Sequence, residues 1–203
     1  MGKPAGQRIV GSCGMLTLAI LVAAGPHSII PGLAIGQVSI GQTRESVVQT
    51  LGAPQHIGET AMRRQWDGWG AGWSCPWTGK PTGPAHELDV YFDGHRPFAD
   101  RKPNDMAVML VEQVRTTSPS FRTDRGIHVG STEAEVTKAY RHLQFGRHGT
   151  TVLGDDPSLG ITFELFEPPK GVGRCVAILV HPRHRSELEE YIPFYQVPFR
   201  TQL

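Results

Sequence analysis

His181 and His184 stand at H-x-x-H spacing, with Cys175 shortly before them. Nothing else in the chain comes as close to a metal-ligand set. A zinc centre needs three or four ligands at regular spacing. No second spaced pair accompanies these, so they read as histidines of a basic tail, and no metal or other cofactor is expected. His142 and His148 flank a turn and look equally ordinary, and Glu164 and Glu167 are carboxylates that no neighbouring motif selects. A cysteine nucleophile at Cys75 or Cys175 requires a reduced thiol of lowered pKa. G-x-S-x-G, H-E-x-x-H, P-loop and G-x-G-x-x-G motifs are all missing from the sequence. The expectation is a protein that is not an enzyme.

The tryptophans offer a different chemistry. All four fall between residues 66 and 77, and Gly, Pro and Ser separate the last three. Trp66 reads as the end of a strand and as core. Trp69, Trp73 and Trp77 read as loop residues, which makes them a candidate recognition surface, since indole brings large contact area with few rotors. The alternative is that the loop folds back and the indoles cap a thin core. Tyr91, on the polar phase of the strand ELDVYF, joins the candidate binding set.

Those side chains must be held by two related stretches. Residues 38–54 read VSIGQTRESVVQTLGAP and residues 127–143 read IHVGSTEAEVTKAYRHL. Gly130 lies on Gly41, Thr132 on Thr43, Val136 on Val47 and Tyr140 on Leu51. Each copy runs an apolar-x-apolar pair into a glycine and then a threonine at a helix N-cap position. Thr132 with Glu135 makes a capping box. Val136, Ala139, Tyr140 and Leu143 share one helix face. The pattern predicts helices over 43–51 and 132–143. Strands follow near 64–67, 87–93 and 107–116 in the first half, and at 151–153, 161–166 and 176–180 in the second. The last of these lacks alternation and is expected in the sheet centre, covered on both faces. Residues 117–126 read as a linker, and a short helix is expected at 185–191. The expected fold class is α+β, with two tandem helix-plus-three-strand units forming antiparallel sheet. The units span 35–117 and 124–182, with a C-terminal tail at 183–203.

Composition fits a β-rich chain with many turns: 24 Gly and 16 Pro in 203 residues. A net charge of +1 gives no field that would gather nucleic acid or anionic membrane. Lys3 and Arg8 precede an uncharged apolar run from Ile9 to Ala24. That run is short against the roughly 20 residues of a membrane span. Small residues Val22 and Ala24 suit a cut before Gly25, so residues 1–24 read as a secretory signal peptide. An uncleaved membrane anchor is the alternative. Export leaves Cys75 and Cys175, one in each half, as a candidate disulfide. Across so long a loop such a bond is worth about 4 kcal/mol in the chain-entropy account. Two unrelated buried thiols are the other reading.

With these residues in place, the chain resembles the secreted β-lactamase inhibitory proteins and the small envelope lipoproteins that assist outer-membrane assembly. The resemblance rests on Ile40, Gly41, Thr43, Val47, Leu51, Gly52 and Pro54, echoed by Val129, Gly130, Thr132, Val136 and Tyr140. It implies a continuous curved sheet whose concave face grips a protein partner. The inhibitory proteins keep a disulfide in each unit, whereas two mature cysteines allow one bond at most. The functional expectation is a secreted or cell-envelope protein that binds another protein, including by inhibition. Once the signal is removed, no membrane contact is expected. The rival is an envelope structural or assembly factor anchored by an uncleaved N-terminus.

Overall fold

The structure is a computed structural model, and it describes residues 25–59, 65–70, 87–92, 109–148, 151–168 and 171–186. Both helices are entered through the same turn. Gly41 and Gly130 have φ of 80° and 105°, a backbone that side chains with a Cβ resist. In the first half Gly41 N donates to Val111 O, Val111 N to Gln42 O and Arg44 N to Met109 O. In the second, Gly130 N donates to Cys175 O, Cys175 N to Ser131 O and Glu133 N to Gly173 O. The apolar-x-apolar-G-x-T motif thus docks each helix entrance on the start of the last strand of its own half. A Cβ on Gly41 would meet no atom within 4 Å. Gly41→Ala should therefore cost backbone strain alone, about 1–2 kcal/mol. In urea this reads as a lower midpoint with an unchanged m-value; an unchanged midpoint would deny that the turn needs glycine.

Helix α1 is Arg44–Leu51 and α2 is Glu133–Ala139. Thr43 Oγ1 accepts from Ser46 N at 3.2 Å. Thr132 Oγ1 accepts from Glu135 N at 3.2 Å, while Thr132 N donates to Glu135 Oε2 at 2.7 Å, completing the capping box. The second helix ends before residue 143 because Tyr140 is already extended. Its buried ring lies 4.7 Å from that of Phe163.

The remaining elements are strands: β1 (Ser28–Ile30), β2 (Ala34–Ile35), β3 (Val38–Ser39), β4 (His56–Glu59), β5 (Gln65–Trp69), β6 (Leu88–Phe92), β7 (Val111–Thr116), β8 (Arg122–Thr123), β9 (Gln144–His148), β10 (Thr151–Asp156), β11 (Ile161–Phe166) and β12 (Arg174–Val180). They form a four-stranded sheet in the order β3-β2-β1-β8 and an eight-stranded sheet in the order β4-β5-β6-β7-β12-β11-β10-β9. The expected α+β fold of helix-plus-three-strand units is therefore corrected. The protein is β-rich, with two sheets and two helices of eight and seven residues among the described residues. Each half gives four strands to the large sheet. The unexpected members, β4 and β9, are its outer strands, and their sequences HIGE and QFGRH carry little apolar alternation.

The region read as a linker supplies β8, which pairs in parallel with β1, and Phe121, which is buried beside His27. Residues 185 and 186 are not helical, and the rest of the expected 185–191 helix lies outside the described residues.

One face of the large sheet carries the core. Val90, Val114, Phe163, Leu165 and Ile178 form one cluster with Val47 of α1, Val136 of α2 and Ile29 and Ile35 of the small sheet. Arg44 ties α1 to this face through Asp67 at 2.7 Å. Burial raises the Asp67 pKa, against the hydrogen bond from Gln65 and the Arg44 charge. Strand β12 lies between β7 and β11 and is buried on both faces after Arg174.

Candidate functional site

The opposite face of the large sheet holds a row of polar and charged groups at its centre. Register places His56, Gly68, Asp89, Arg115, Leu179, Thr162, Asp155 and Gln144 in one row across all eight strands. Arg115 sits at the middle of that row. Its Nε and Nη2 donate to the two oxygens of Glu164, at 2.7 and 3.0 Å, and its Nη1 donates to Asp89 Oδ2 at 3.1 Å. Arg115, Asp89 and Glu164 are 1%, 0% and 5% exposed.

Burial works against the Arg115 charge, but the Glu164 carboxylate and then Asp89 outweigh it and hold the guanidinium well above its usual range. Burial pushes Asp89 up to about 7, and the Arg115 charge and hydrogen bond only partly oppose this. Arg115 thus bridges the two carboxylates, meeting Glu164 at two points and Asp89 at one.

Asp155 forms a second centre further along the row. Oδ1 accepts from Thr162 Oγ1 at 2.9 Å and faces His181 Nε2 at 3.1 Å, and Oδ2 accepts from Ser186 Oγ at 3.0 Å. His181 Nδ1 faces Pro182 O at 3.0 Å. Both ring nitrogens thus face oxygen atoms. Ser186 donates to the aspartate, not to His181, so serine and histidine are not arranged as nucleophile and base. The cluster pins residues 181–186 to the β10–β11 hairpin.

The residues singled out in the sequence fall elsewhere. Trp69, expected in a loop, is the last residue of β5, and it is 6% exposed. Its Nε1 donates to Gly52 O at 3.0 Å, just past α1. Tyr91, expected on a polar strand face, is fully buried on β6. Both positions are corrected because the central strands are covered on both faces, so neither ring offers area to a partner. Trp66, expected in the core, is buried on the charged face and stacks on His56 at 4.3 Å. Trp73, Trp77 and Cys75 lie outside the described residues. Cys175 is buried at the start of β12, and the expected bond to Cys75 falls outside the described residues with its partner. Five strand residues, Val176 to Val180, separate Cys175 from His181, so these two are not brought together. Glu164 enters the charged centre, whereas Glu167 pairs with Arg147 near the outer strand β9.

Arg115, Asp89 and Asp155 drew no attention in the sequence. Their common signal is a charge on the polar phase of a strand, which ordinarily means solvent. In a strand that becomes central to a large sheet, the same charge must find a partner.

No family model and no curated protein matches the chain. Among solved structures, the uncharacterized protein yfeY from Escherichia coli is similar at a TM-score of 0.47 and 10% identity, over 77% of this chain and 99% of that one. An extracellular protein containing a SCP domain from Bacillus anthracis gives a TM-score of 0.36 and 11% identity, over 71% of this chain and 44% of that one. Neither likeness places the chain in a family. No helix among the described residues is long and apolar enough to cross a membrane.

Proposed function

We propose that the protein is a non-enzymatic protein-recognition module that works outside the cytoplasm, and that it meets its partner along the outer strand β4. The observation that carries this reading is Ile57. It is 50% exposed, and among the described residues it is the large apolar side chain left exposed within a strand. No further described strand pairs with β4, so its backbone offers the edge that strand addition uses. Trp73 and Trp77 belong to the segment joining Gly70 to Glu87, which leaves β5 beside the His56 end of β4. They are proposed as binding residues on their sequence alone, as indoles separated by Gly, Pro and Ser.

The test is capture from the medium of the native host by the immobilised mature chain, followed by affinity measurement on the captured protein. Ile57→Lys and the Trp73→Ala/Trp77→Ala pair should each weaken binding by tenfold or more while leaving the melting temperature near that of the parent. Wild-type affinity in both variants would reject this surface. Intact mass of the exported protein should show a start near Gly25, and retention of residues 1–24 would favour an anchored envelope factor.

A further inference from the structure

We propose that the cavity between the 125–131 loop and α2 is a binding site for a small organic oxyanion, gripped by Arg125 and Lys138. The cavity has a volume of about 440 Å³, the size of a small-ligand site. The loop contributes Arg125 and His128, and the helix contributes Glu135 and Lys138. Ile127 and Ala139 add apolar wall. No residue of β4 takes part, so the site stands apart from the partner surface proposed above.

The walls are fixed by their own hydrogen bonds. Thr123 N donates to Ile127 O at 2.9 Å, and Ile127 N donates to Thr123 Oγ1 at 3.1 Å, which closes the loop on itself. His128 N donates to Ser131 Oγ at 3.2 Å and ties the loop to the entrance of α2. The His128 ring is held with Nδ1 at 2.8 Å from Val129 O. Arg125 is held at two points. Its Nη1 donates to Ala139 O at 2.7 Å, and its Cζ lies 4.6 Å from the centroid of the Tyr140 ring. Its Nε and Nη2 meet no acceptor among the described residues. Those two donors form the edge that takes a carboxylate or phosphate in a two-point contact.

The two cations are not required by the fold of the unit. In the internal alignment that lays Gly130 on Gly41, Arg125 falls on Gly36 and Lys138 on Gln49. The first half therefore builds the same turn and helix without either charge. Lys138 has no ion-pair or hydrogen-bond partner among the described residues. Glu135 is the acid of the lining, and its Oε2 already accepts from Thr132 N and Oγ1 at 2.7 and 2.9 Å. Asp124, next to Arg125 in the chain, does not line the cavity. An entering oxyanion thus meets a guanidinium and an ammonium that no carboxylate holds, while Ile127 and Ala139 receive its apolar body.

Amide chemical shifts of the full chain at neutral pH test the site, with hexanoate, hexyl phosphate and hexylamine as probes. Hexanoate or hexyl phosphate should move the Gly126, Ser131 and Lys138 amides to saturation in the millimolar range, and the tighter of the two names the head group. Hexylamine, with the same body and the opposite charge, should leave those amides in place. Lys138→Gln removes an exposed cation, so its melting temperature should stay near that of the wild type while anion affinity falls about fivefold. Arg125→Gln loses the fork and should weaken binding by about tenfold or more. The site is overturned if hexylamine moves the same amides as strongly, if neither anion saturates them, or if Lys138→Gln binds the anions as the wild type does. Should Arg125→Gln fail to fold, Lys138→Gln decides alone.

Discussion

Arg115→Met should cost about 3–5 kcal/mol of folding stability at pH 8, the cost of stranding buried carboxylates without their cation. The methionine fills much of the arginine's volume, so little of the loss comes from an empty cavity. What remains is Asp89 and Glu164, both buried, on the two sides of a side chain that no longer carries charge. Domains of this size have roughly 5–15 kcal/mol in total, so the variant should sit near the edge of folding. The loss should shrink as pH falls and the carboxyls take up protons. A triple variant, Asp89→Asn, Arg115→Met and Glu164→Gln, should recover much of the loss, because it removes the stranded charges along with the cation. Chemical denaturation of the wild type, the single variant and the triple variant measures all of this. A single-variant loss below about 1 kcal/mol would mean that the guanidinium is not the counter-charge of this face.

The local devices were legible because their physics is local. A glycine before a threonine, with an apolar pair ahead of it, specifies a turn and an N-cap without help from the rest of the chain. Both helix entrances sit where that motif puts them. The apolar run of β12 gave its central place, since a strand covered on both faces has no polar phase to show.

What was not legible depends on neighbours. The outer strands His56–Glu59 and Gln144–His148 need to satisfy only one side, so their sequences carry no strand signature, and three strands per half were expected where four stand. The strand Thr151–Asp156 runs three residues past its expected end at 153, because Asp155-Asp156 resembles the start of a loop. Both aspartates are buried acceptors, Asp155 for Thr162 and Ser186 and Asp156 for Ser158 and the Leu159 N–H. The charged face was invisible for the same reason. Alternation in LDVYF and ITFELF assigns Asp89 and Glu164 to a polar side, and nothing in either strand says that Arg115 of a third will lie between them.

Trp69→Ala should lower stability by about 3–5 kcal/mol, which for a chain of this length is roughly 6–20 °C in melting temperature. Its place at the end of β5, among Gly and Trp residues, suggested a loop and a surface role. The structure puts the ring in the core cluster with Leu88, its register partner on β6. The indole N–H also closes the carbonyl of Gly52, where α1 ends with φ of 83° and the chain turns back toward β4. Trp69 therefore joins helix end, strand and core in one residue. Trp69→Phe separates the two contributions. It keeps an aromatic ring but leaves the Gly52 carbonyl without this donor, so part of the loss should remain, about 1 kcal/mol of it from the hydrogen bond. The affinity of whatever fraction remains folded should be unchanged, because a ring 6% exposed has almost no surface to give a partner. A Trp69→Ala protein that melts within a degree or two of the wild type, yet binds its captured partner tenfold more weakly, would return this tryptophan to the recognition surface.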